Sequence, residues 1–385
     1  MRNKIFTLMM ITLVLLQYNT AIAADKVTFE DQKFERYVRG IIFKPTGDII
    51  SEDLIEVKLL HFYPMLCSDK ISLSYVKYFP SLEKLRIDGM KFKDSSPIGN
   101  LHKLKDIDIR MTPISDISWL ANMPDMECLT LRNTKINDIS IVGNLTKMRL
   151  LTIESNAVTD IAALGTLSNL ELLVLVAGQI SDISALGKLT NLKSLSLFHG
   201  QLSDLSPLKN LKNLISIQIV SPKLIDVSAI KNLTNITHLC LGSEIGNLAV
   251  LNKLTNLKEL TLYNEITNIE DVKYLTKLTR IDLRSNKITD ISVLKALNNL
   301  TELNLGNNKI TEIDTLKALK SLTKLGLNDT DITDLSPLLE LTNLKEVSIA
   351  DDDLDLRPGS RNREVVDQLR QRGCQVITLL GTYQN

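Results

Sequence analysis

The feature of this sequence that most restricts its fold is a segment that repeats about every 22 residues from Phe79 onward. Three successive copies read "LTKLTRIDLRSNKITDISVLKA", "LNNLTELNLGNNKITEIDTLKA" and "LKSLTKLGLNDTDITDLSPLLE". The L-x-L part of each copy alternates apolar and polar residues, as a half-buried strand does. One copy cannot bury its own aliphatic side chains, so successive copies are expected to stack on one another. Copies begin at Phe79, Leu101, Met123, Leu145, Leu167, Leu189, Leu211, Leu233, Leu254, Leu275, Leu297 and Leu319, and a partial copy begins at Leu341.

The period and the motif match the leucine-rich repeat. The predicted fold is therefore α/β, a right-handed leucine-rich-repeat solenoid with a parallel β-sheet on its concave face. The copies that begin at Leu233 and Leu254 are one residue short, directly after the L-x-L core. In the copy that begins at Leu275, the predicted inward side chains are Leu275, Leu278, Ile281, Leu283, Ile288, Ile291 and Leu294.

The first 23 residues predict a secretory signal peptide. A basic start, "MRNK", precedes the apolar run "IFTLMMITLVLL", and cleavage is expected after Ala23 or Ala24. The run is too short to span a bilayer, and no Cys follows it for lipid attachment. We therefore expect an exported protein, secreted or held in a periplasm or at a cell surface, and we see no covalent wall or lipid anchor in the sequence.

A solenoid needs covered ends, and the sequence offers a segment for each. Residues 25–78 form the predicted N-terminal helical cap, 79–356 the repeats, and 357–385 a C-terminal cap of one helix and one strand. At the first end, "DQKFERYVRGII" and "SEDLIEVKLL" are predicted to be helical, with Ser51 as an N-cap. At the other end, "RNREVVDQLRQRG" predicts a helix that stops at Gly373, and "CQVITLL" predicts a last strand.

The "LTNLKELTL" and "ITDISVL" segments resemble the internalin-type 22-residue repeat of bacterial surface and secreted proteins. The opening "FEDQKFERYVRG" is similar to the N-terminal cap of many bacterial relatives. The resemblance covers nearly the whole chain after the predicted signal peptide. It implies that the concave sheet face binds another protein, often a protein of a host cell.

One stretch, "ELLVLVAGQI" from Glu171 to Ile180, departs from the alternating pattern. A strand with one wet face should alternate, but here the outward positions are apolar as well. An exposed apolar area with a polar rim is typical of a partner site, although scattered exposed aliphatics can also carry no role. The predicted centre of the partner site is Leu150, Leu172, Val174, Val176, Phe198 and Val220. The predicted rim contacts are His199, Tyr263, Arg280 and Arg284.

The loop after each strand usually carries Asn, whose side chain can satisfy backbone groups of the turn. That residue is retained as Asn156, Asn286 and Asn308. Beside the apolar stretch it is replaced by Gly178, Gly200 and Pro222, which predicts a different surface there.

A column of Asp residues raises the question of calcium binding. We instead predict that each carboxylate caps the short helical turn that follows it, because a second set of oxygen ligands is missing from the repeat. The column consists of Asp116, Asp138, Asp160, Asp182, Asp204, Asp226, Asp290 and Asp334.

The charge balance gives no indication of nucleic-acid binding, and the motifs give none of an enzyme. Lys and Arg number 45, as do Asp and Glu, so no basic excess indicates nucleic acid. No catalytic or metal-binding motif is present, and His199 with His238 is the best pair that an enzyme hypothesis could use. We predict a monomer that needs no cofactor or metal and binds another protein. The alternatives are a self-associating structural or cell-envelope protein and a binder of glycan or cell wall.

Overall fold

The computed structural model describes residues 25–68, 71–198, 200–243, 245–350 and 354–378. The predicted signal peptide and His199 lie outside the described residues. The chain divides into two compact units, Met1–Thr134 and Lys135–Asn385.

The described residues of the first unit form two α-helices, a small antiparallel pair of strands and a parallel set of strands. The helices are α1 (Gln32–Ile41) and α2 (Ser51–Leu54). A small antiparallel pair is formed by β1 (Lys26–Val27) and β2 (Ile49–Ile50). The parallel strands are β3 (Leu59–Phe62), β4 (Lys84–Asp88), β5 (Asp106–Arg110) and β6 (Cys128–Arg132), paired in chain order. Short 3₁₀ helices span Leu73–Tyr78, Ser96–Asn100 and Ser118–Asn122.

The helix predicted at α1 is present, and that predicted over "SEDLIEVKLL" is largely wrong. Asp31 caps α1 by accepting the backbone N–H groups of Lys33 and Phe34, both at 3.0 Å. The second helix ends at Leu54, and Leu59–Phe62 instead pairs with β4 as the first strand of the sheet. The tertiary pairing of a strand overrides the weak local preference of so short a helix.

The predicted cap at Ser51 is also wrong. Ser51 is the first residue of α2, and its hydroxyl donates to the Asp25 carbonyl at 3.1 Å. The side chain that serves the helix start is Asp53, whose carboxylate accepts the Ile50 N–H at 2.9 Å. At the sheet edge, the Tyr37 hydroxyl of α1 accepts the N–H of His61 in β3 at 3.2 Å.

In the second unit, the described strands from β7 to β17 pair in parallel in chain order. They are β7 (Leu150–Glu154), β8 (Leu172–Val176), β9 (Ser194–Phe198), β10 (Ser216–Val220), β11 (His238–Gly242), β12 (Glu259–Tyr263), β13 (Arg280–Asp282), β14 (Glu302–Asn304), β15 (Lys324–Gly326), β16 (Glu346–Ser348) and β17 (Gln375–Ile377). The 3₁₀ helices opposite them are Ser140–Asn144, Ala162–Thr166, Ser184–Lys188, Ser206–Asn210, Ser228–Asn232, Ala249–Lys253, Glu270–Tyr274, Ser292–Ala296, Asp314–Ala318 and Ser336–Glu340. The repeating strand and 3₁₀ turn confirm the predicted leucine-rich-repeat solenoid.

The core lies between the sheet and the row of 3₁₀ helices. All seven predicted inward side chains of the Leu275 copy are at most 2% exposed. Each large aliphatic group buried in this way contributes about 1.5–3 kcal/mol before conformational entropy is subtracted.

The Asp column caps the 3₁₀ helices, as predicted. Each of the eight carboxylates accepts the backbone N–H two residues ahead, at 2.7–2.9 Å. This backbone hydrogen bond is the largest cause of the lowered pKa of the Asp116 and Asp290 carboxyls.

The second unit ends with α3 (Arg361–Gln371) and β17. Ser360 accepts the Arg363 N–H at the start of α3, and Gly373 follows its end with a φ of +83°. The apolar side of α3 is buried through Val365, Val366 and Leu369. No helix within the described ranges is long and apolar enough to cross a membrane.

Candidate functional site

In the second unit, the sheet face that turns away from the core carries three rows of side chains. We call it the outer face. Because the strands pair without slippage, equivalent residues of neighbouring strands stand side by side, about 4.8 Å apart. The first row is Leu150, Leu172, Ser194, Ser216, His238, Glu259 and Arg280. The second row is Thr152, Val174, Ser196, Gln218, Cys240, Thr261 and Asp282. The third row is Glu154, Val176, Phe198, Val220, Gly242 and Tyr263.

None of the outward positions on β8, β9 and β10 carries an ionisable group. On β8 all three are apolar, namely Leu172, Val174 and Val176, and each is partly exposed. On β7, Leu150 beside Leu172 is 42% exposed. The structure therefore brings the six residues of the predicted centre together on four adjacent strands.

From Val176 to Tyr263 the third row is an apolar strip, although Gly242 contributes no side chain to it. The ring of Tyr263 lies over Gly242, so closely that a Cβ built there would be 2.3 Å from the Tyr263 Cε2 atom. The ring thus fills the space that a side chain of β11 would occupy. We call Val176, Phe198, Val220 and Tyr263 the apolar row, and these four with Leu150, Leu172 and Val174 the middle face.

Two ionisable groups at the edge of the middle face are held in their neutral forms. Burial raises the pKa of the Tyr263 hydroxyl to about 12, and the neighbouring Cys240 thiol adds to this shift. Burial likewise raises the pKa of the Cys240 thiol, which neighbours the Tyr263 hydroxyl. The strip from Val176 to Tyr263 is therefore uncharged at neutral pH.

The rim residues predicted from the sequence are placed differently from one another. Tyr263 belongs to the apolar row itself and not to its rim. Arg284 forms an ion pair with Asp282 at 2.7 Å, and Arg280 lies 3.5 Å from Glu302, with both arginines largely exposed. His199 lies outside the described residues. At one end of the apolar row the next residue of the third row is Glu154, beside Val176. At the other end the equivalent position in the next repeat after Tyr263 is Arg284.

The partner site predicted from the sequence did not include Gly242, Ser196 or Gln218, which lie on the outer face beside its members. Ser196 is 7% exposed, and its hydroxyl donates to the Gln218 side-chain oxygen at 3.2 Å. A glycine in an outward column next to a tyrosine was the available signal for Gly242. No comparable signal separates Ser196 from an ordinary exposed serine.

Beneath the middle face, the loop after the strand differs from that of the later turns. After β13, Ser285 has a left-handed φ of 57°, and the next residue, Asn286, is buried. Its amide nitrogen donates to the Leu262 and Leu283 carbonyls at 2.8 Å, and its oxygen accepts the Ile266 N–H at 3.1 Å.

After β7, the same Ser-Asn pair adopts the opposite arrangement. Ser155 has no left-handed φ, is buried, and donates from its hydroxyl to the Ile136 carbonyl at 2.6 Å. Asn156 is exposed and accepts the Gly178 N–H at 3.3 Å. The prediction that Asn156 plays the same role as Asn286 is therefore wrong.

Buried small residues directly after the strand occur in several of the middle turns. Ser221 and Ser243 are buried like Ser155, with hydroxyls bonded to carbonyls of preceding turns, and Ala177 occupies the same position. The arrangement changes at the second of the two short copies, where Asn264 and Glu265 both have left-handed φ values, 78° and 71°. The missing residues thus coincide with the junction between two kinds of turn.

The described residues contain no group of three or more His, Cys, Asp or Glu side chains placed to hold a metal ion. The middle face offers an apolar and weakly polar surface. It is suited to burying area against a partner rather than to polarising a bond.

Comparison with known proteins gives consistent matches. A family model described as leucine-rich repeats in two copies matches residues 168–210 and 276–318. Comparison with curated protein sequences gives no match. Among solved structures, a leucine-rich-repeat protein of Leptospira interrogans is 20% identical, covers 78% of this chain and 91% of its own, and has a TM-score of 0.58. The functional domain of InlJ from Listeria monocytogenes is 19% identical, covers 83% and 79%, and has a TM-score of 0.62.

Those two matches show the fold. A stronger match is an internalin (InlF) from Listeria monocytogenes, which is 30% identical to this chain with a TM-score of 0.72. The alignment covers 86% of this chain and 98% of the internalin, so the similarity extends through the repeats and beyond them. This chain belongs to the internalin-like family of leucine-rich-repeat proteins.

Proposed function

We propose that this protein is exported and binds a partner protein through the middle face. The observation that carries the proposal is the apolar row, held on adjacent strands of a sheet whose neighbouring turns are charged. Leucine-rich-repeat proteins of the internalin type are protein-binding modules, which supports the choice of a protein as the ligand. A host or cell-surface protein is the class of partner that fits an exported member of this family.

The chemistry of the middle face indicates what the partner must present. An uncharged strip with Phe198 and Tyr263 would bury aliphatic or aromatic side chains, since aromatic residues are frequent anchors of such interfaces. The paired arginines Arg280 and Arg284 would lie at the periphery, where exposed ion pairs contribute about 0–1 kcal/mol each. Affinity is therefore expected to depend on the apolar row more than on the arginines.

The proposal is tested by a pull-down from lysates of host cells and of the producing cells. Val176→Glu places a carboxylate in the apolar row between Glu154 and Phe198. Ser348→Glu is the matched control, because it adds the same group to the outer face on β16, far along the same sheet. We expect one captured protein to be retained by the parent and by Ser348→Glu and to be lost by Val176→Glu. Equal capture by all three would contradict the proposal.

Self-association is the competing use of an exposed apolar strip. Light scattering over a concentration series distinguishes it, because a dimer that Val176→Glu dissociates would make a second copy the partner. A parent protein that remains monomeric supports an external partner.

Export and the end segments complete the proposal. We propose that residues 1–23 are removed as a signal peptide, which the mass of the mature protein would check by showing a start at Ala24 or Asp25.

Residues 25–78 and 357–385 are proposed to cover the first and last turns. The buried sides of α1 (Phe34 and Val38) and of α3 support that role.

A further inference from the structure

The first unit contains a cavity that partner binding at the middle face does not use. It has a volume of about 600 Å³ and is lined by two chain segments and Pro97. One segment, Ile71–Ser74, leads into the first 3₁₀ helix, and the other, Lys91–Asp94, follows β4. Pockets for small organic ligands typically enclose about 300–1,000 Å³.

The floor of the cavity is apolar and well supported. Ile71 is 6% exposed and Leu73 1% exposed, and Phe92 is half-buried. The Phe92 ring packs edge-on against the ring of Phe62 in β3, with 5.9 Å between ring centroids. This contact holds Phe92 in place, so the floor does not depend on a ligand for its position.

The rim of the cavity is cationic. Lys91 and Lys93 are both exposed, and neither forms an ion pair within the part of the chain that the structure describes. The one carboxylate of the lining, Asp94, already accepts the N–H and the hydroxyl of Ser96 at 2.8 and 2.9 Å. Two ammonium groups therefore stand beside an apolar floor with no carboxylate committed to them there.

We propose that this cavity binds an amphipathic anion, a small molecule with an apolar group and one carboxylate, sulfonate or phosphate. The apolar group lies on Ile71, Leu73 and Phe92, and the anionic group lies beside Lys91 or Lys93. Ser72 and Ser74 provide hydroxyls at the wall, where Ser72 already accepts the Ser74 N–H at 3.1 Å. Binding of this anion does not depend on the proposed partner protein.

The test uses the mature protein and 1-anilinonaphthalene-8-sulfonate, which combines aromatic rings with a single sulfonate. We expect saturable fluorescence enhancement with one site per chain. The double variant Lys91→Gln/Lys93→Gln should bind about 5-fold more weakly, because exposed charge pairs contribute only weakly to binding. Phe92→Ala, which removes part of the floor, should also weaken binding.

Two control variants separate this cavity from other sites. Lys103→Gln removes an exposed lysine of the same unit whose ammonium group donates to the Ser81 hydroxyl, and it should bind the probe like the parent. Val176→Glu alters the middle face and should leave the signal unchanged. Binding that is insensitive to the double variant, or that Val176→Glu abolishes, would overturn the proposal.

The source of the anion is resolved by two further measurements. Decanoate should displace the probe more strongly than decanol, since only decanoate carries the charge. Co-sedimentation with phosphatidylglycerol vesicles, absent with phosphatidylcholine and lost in the double variant, would identify a lipid headgroup. Displacement by decanoate without vesicle binding would identify a free amphiphile, and failure of both would refute the site.

Discussion

At the scale of single residues, the most informative comparison is between two asparagines at the same repeat position. Asn286 makes three close hydrogen bonds inside the stack, whereas Asn156 is exposed and makes one long one. When a buried polar side chain is removed, the backbone groups that it hydrogen-bonded are left unsatisfied.

We therefore expect Asn286→Ala to lower the free energy of unfolding by about 2–3 kcal/mol. Asn156→Ala should change it by about 0.5 kcal/mol or less, as most exposed substitutions do. Urea denaturation followed by circular dichroism measures both, and each variant is the other's control. Equal destabilisation would mean that the two turns are alike in solution.

Cys67 gives a second prediction at this scale. Burial raises the pKa of its thiol to about 12 from an ordinary value of 9.0. Above pH 9 the unfolded chain loses this proton while the folded protein keeps it, so stability that is present below pH 9 declines between about pH 9 and 12. The parent should lose unfolding free energy over that range, and Cys67→Ala should lose less. Parallel pH curves for the two proteins would count against this assignment.

At the scale of elements, β11 and β12 are coupled through the ring of Tyr263 over Gly242. A methyl group at position 242 would displace the ring, because no Cβ fits within 2.3 Å of a ring carbon. The displaced hydroxyl would be surrounded by water and would lose its contact with Cys240.

Gly242→Ala should therefore lower the pKa of Tyr263 from about 12 towards the ordinary tyrosine value of 10.0. Nuclear magnetic resonance of ¹³Cζ-labelled tyrosine follows this titration, and Tyr263→Phe assigns the resonance. Gly246→Ala is the control, since nothing lies within 4 Å of a Cβ added there. An unchanged titration in Gly242→Ala would show that the ring does not occupy that space.

The repeat pattern was sufficient to predict the strands, the inward side chains, the Asp caps and the position of the apolar stretch. It failed where the same short sequence adopts two different backbone conformations. "SN" after β7 buries the serine, and "SN" after β13 buries the asparagine, so neighbouring turns decide which backbone conformation is adopted. The prediction of a helix over all of "SEDLIEVKLL" failed for a related reason. The pairing of β3 with β4 outweighs the local helical preference of this segment. The contact of Tyr263 with Gly242 depends on a side-chain rotamer, which no one-dimensional pattern contains.

At the scale of the whole molecule, stability and binding are distributed differently along the repeats. Each turn contributes a similar inward set, so any turn can be removed in register at a modest loss of stability. The middle face, by contrast, is confined to β7–β12. A complete repeat is therefore a natural unit for separating the two properties.

Deleting residues 297–318 removes one charged turn and joins Ala296 to Leu319 in register. Deleting residues 189–210 removes β9 with Phe198 and joins Lys188 to Leu211. We expect both proteins to fold, with similar thermal midpoints below that of the parent, and only the second to lose the captured partner. Retention of the partner by both deletions would locate binding elsewhere.

The coupling of Tyr263 to Gly242 also has a consequence for how this surface can change over generations. A side chain at position 242 would collide with an aromatic ring at position 263. An aromatic ring at position 263 in turn requires glycine at position 242. The two positions are therefore expected to vary as a pair among relatives, and one substitution opens the way to the other. A surface built in this way changes its specificity by linked pairs of neighbouring turns, while the aliphatic stack beneath it is inherited unchanged.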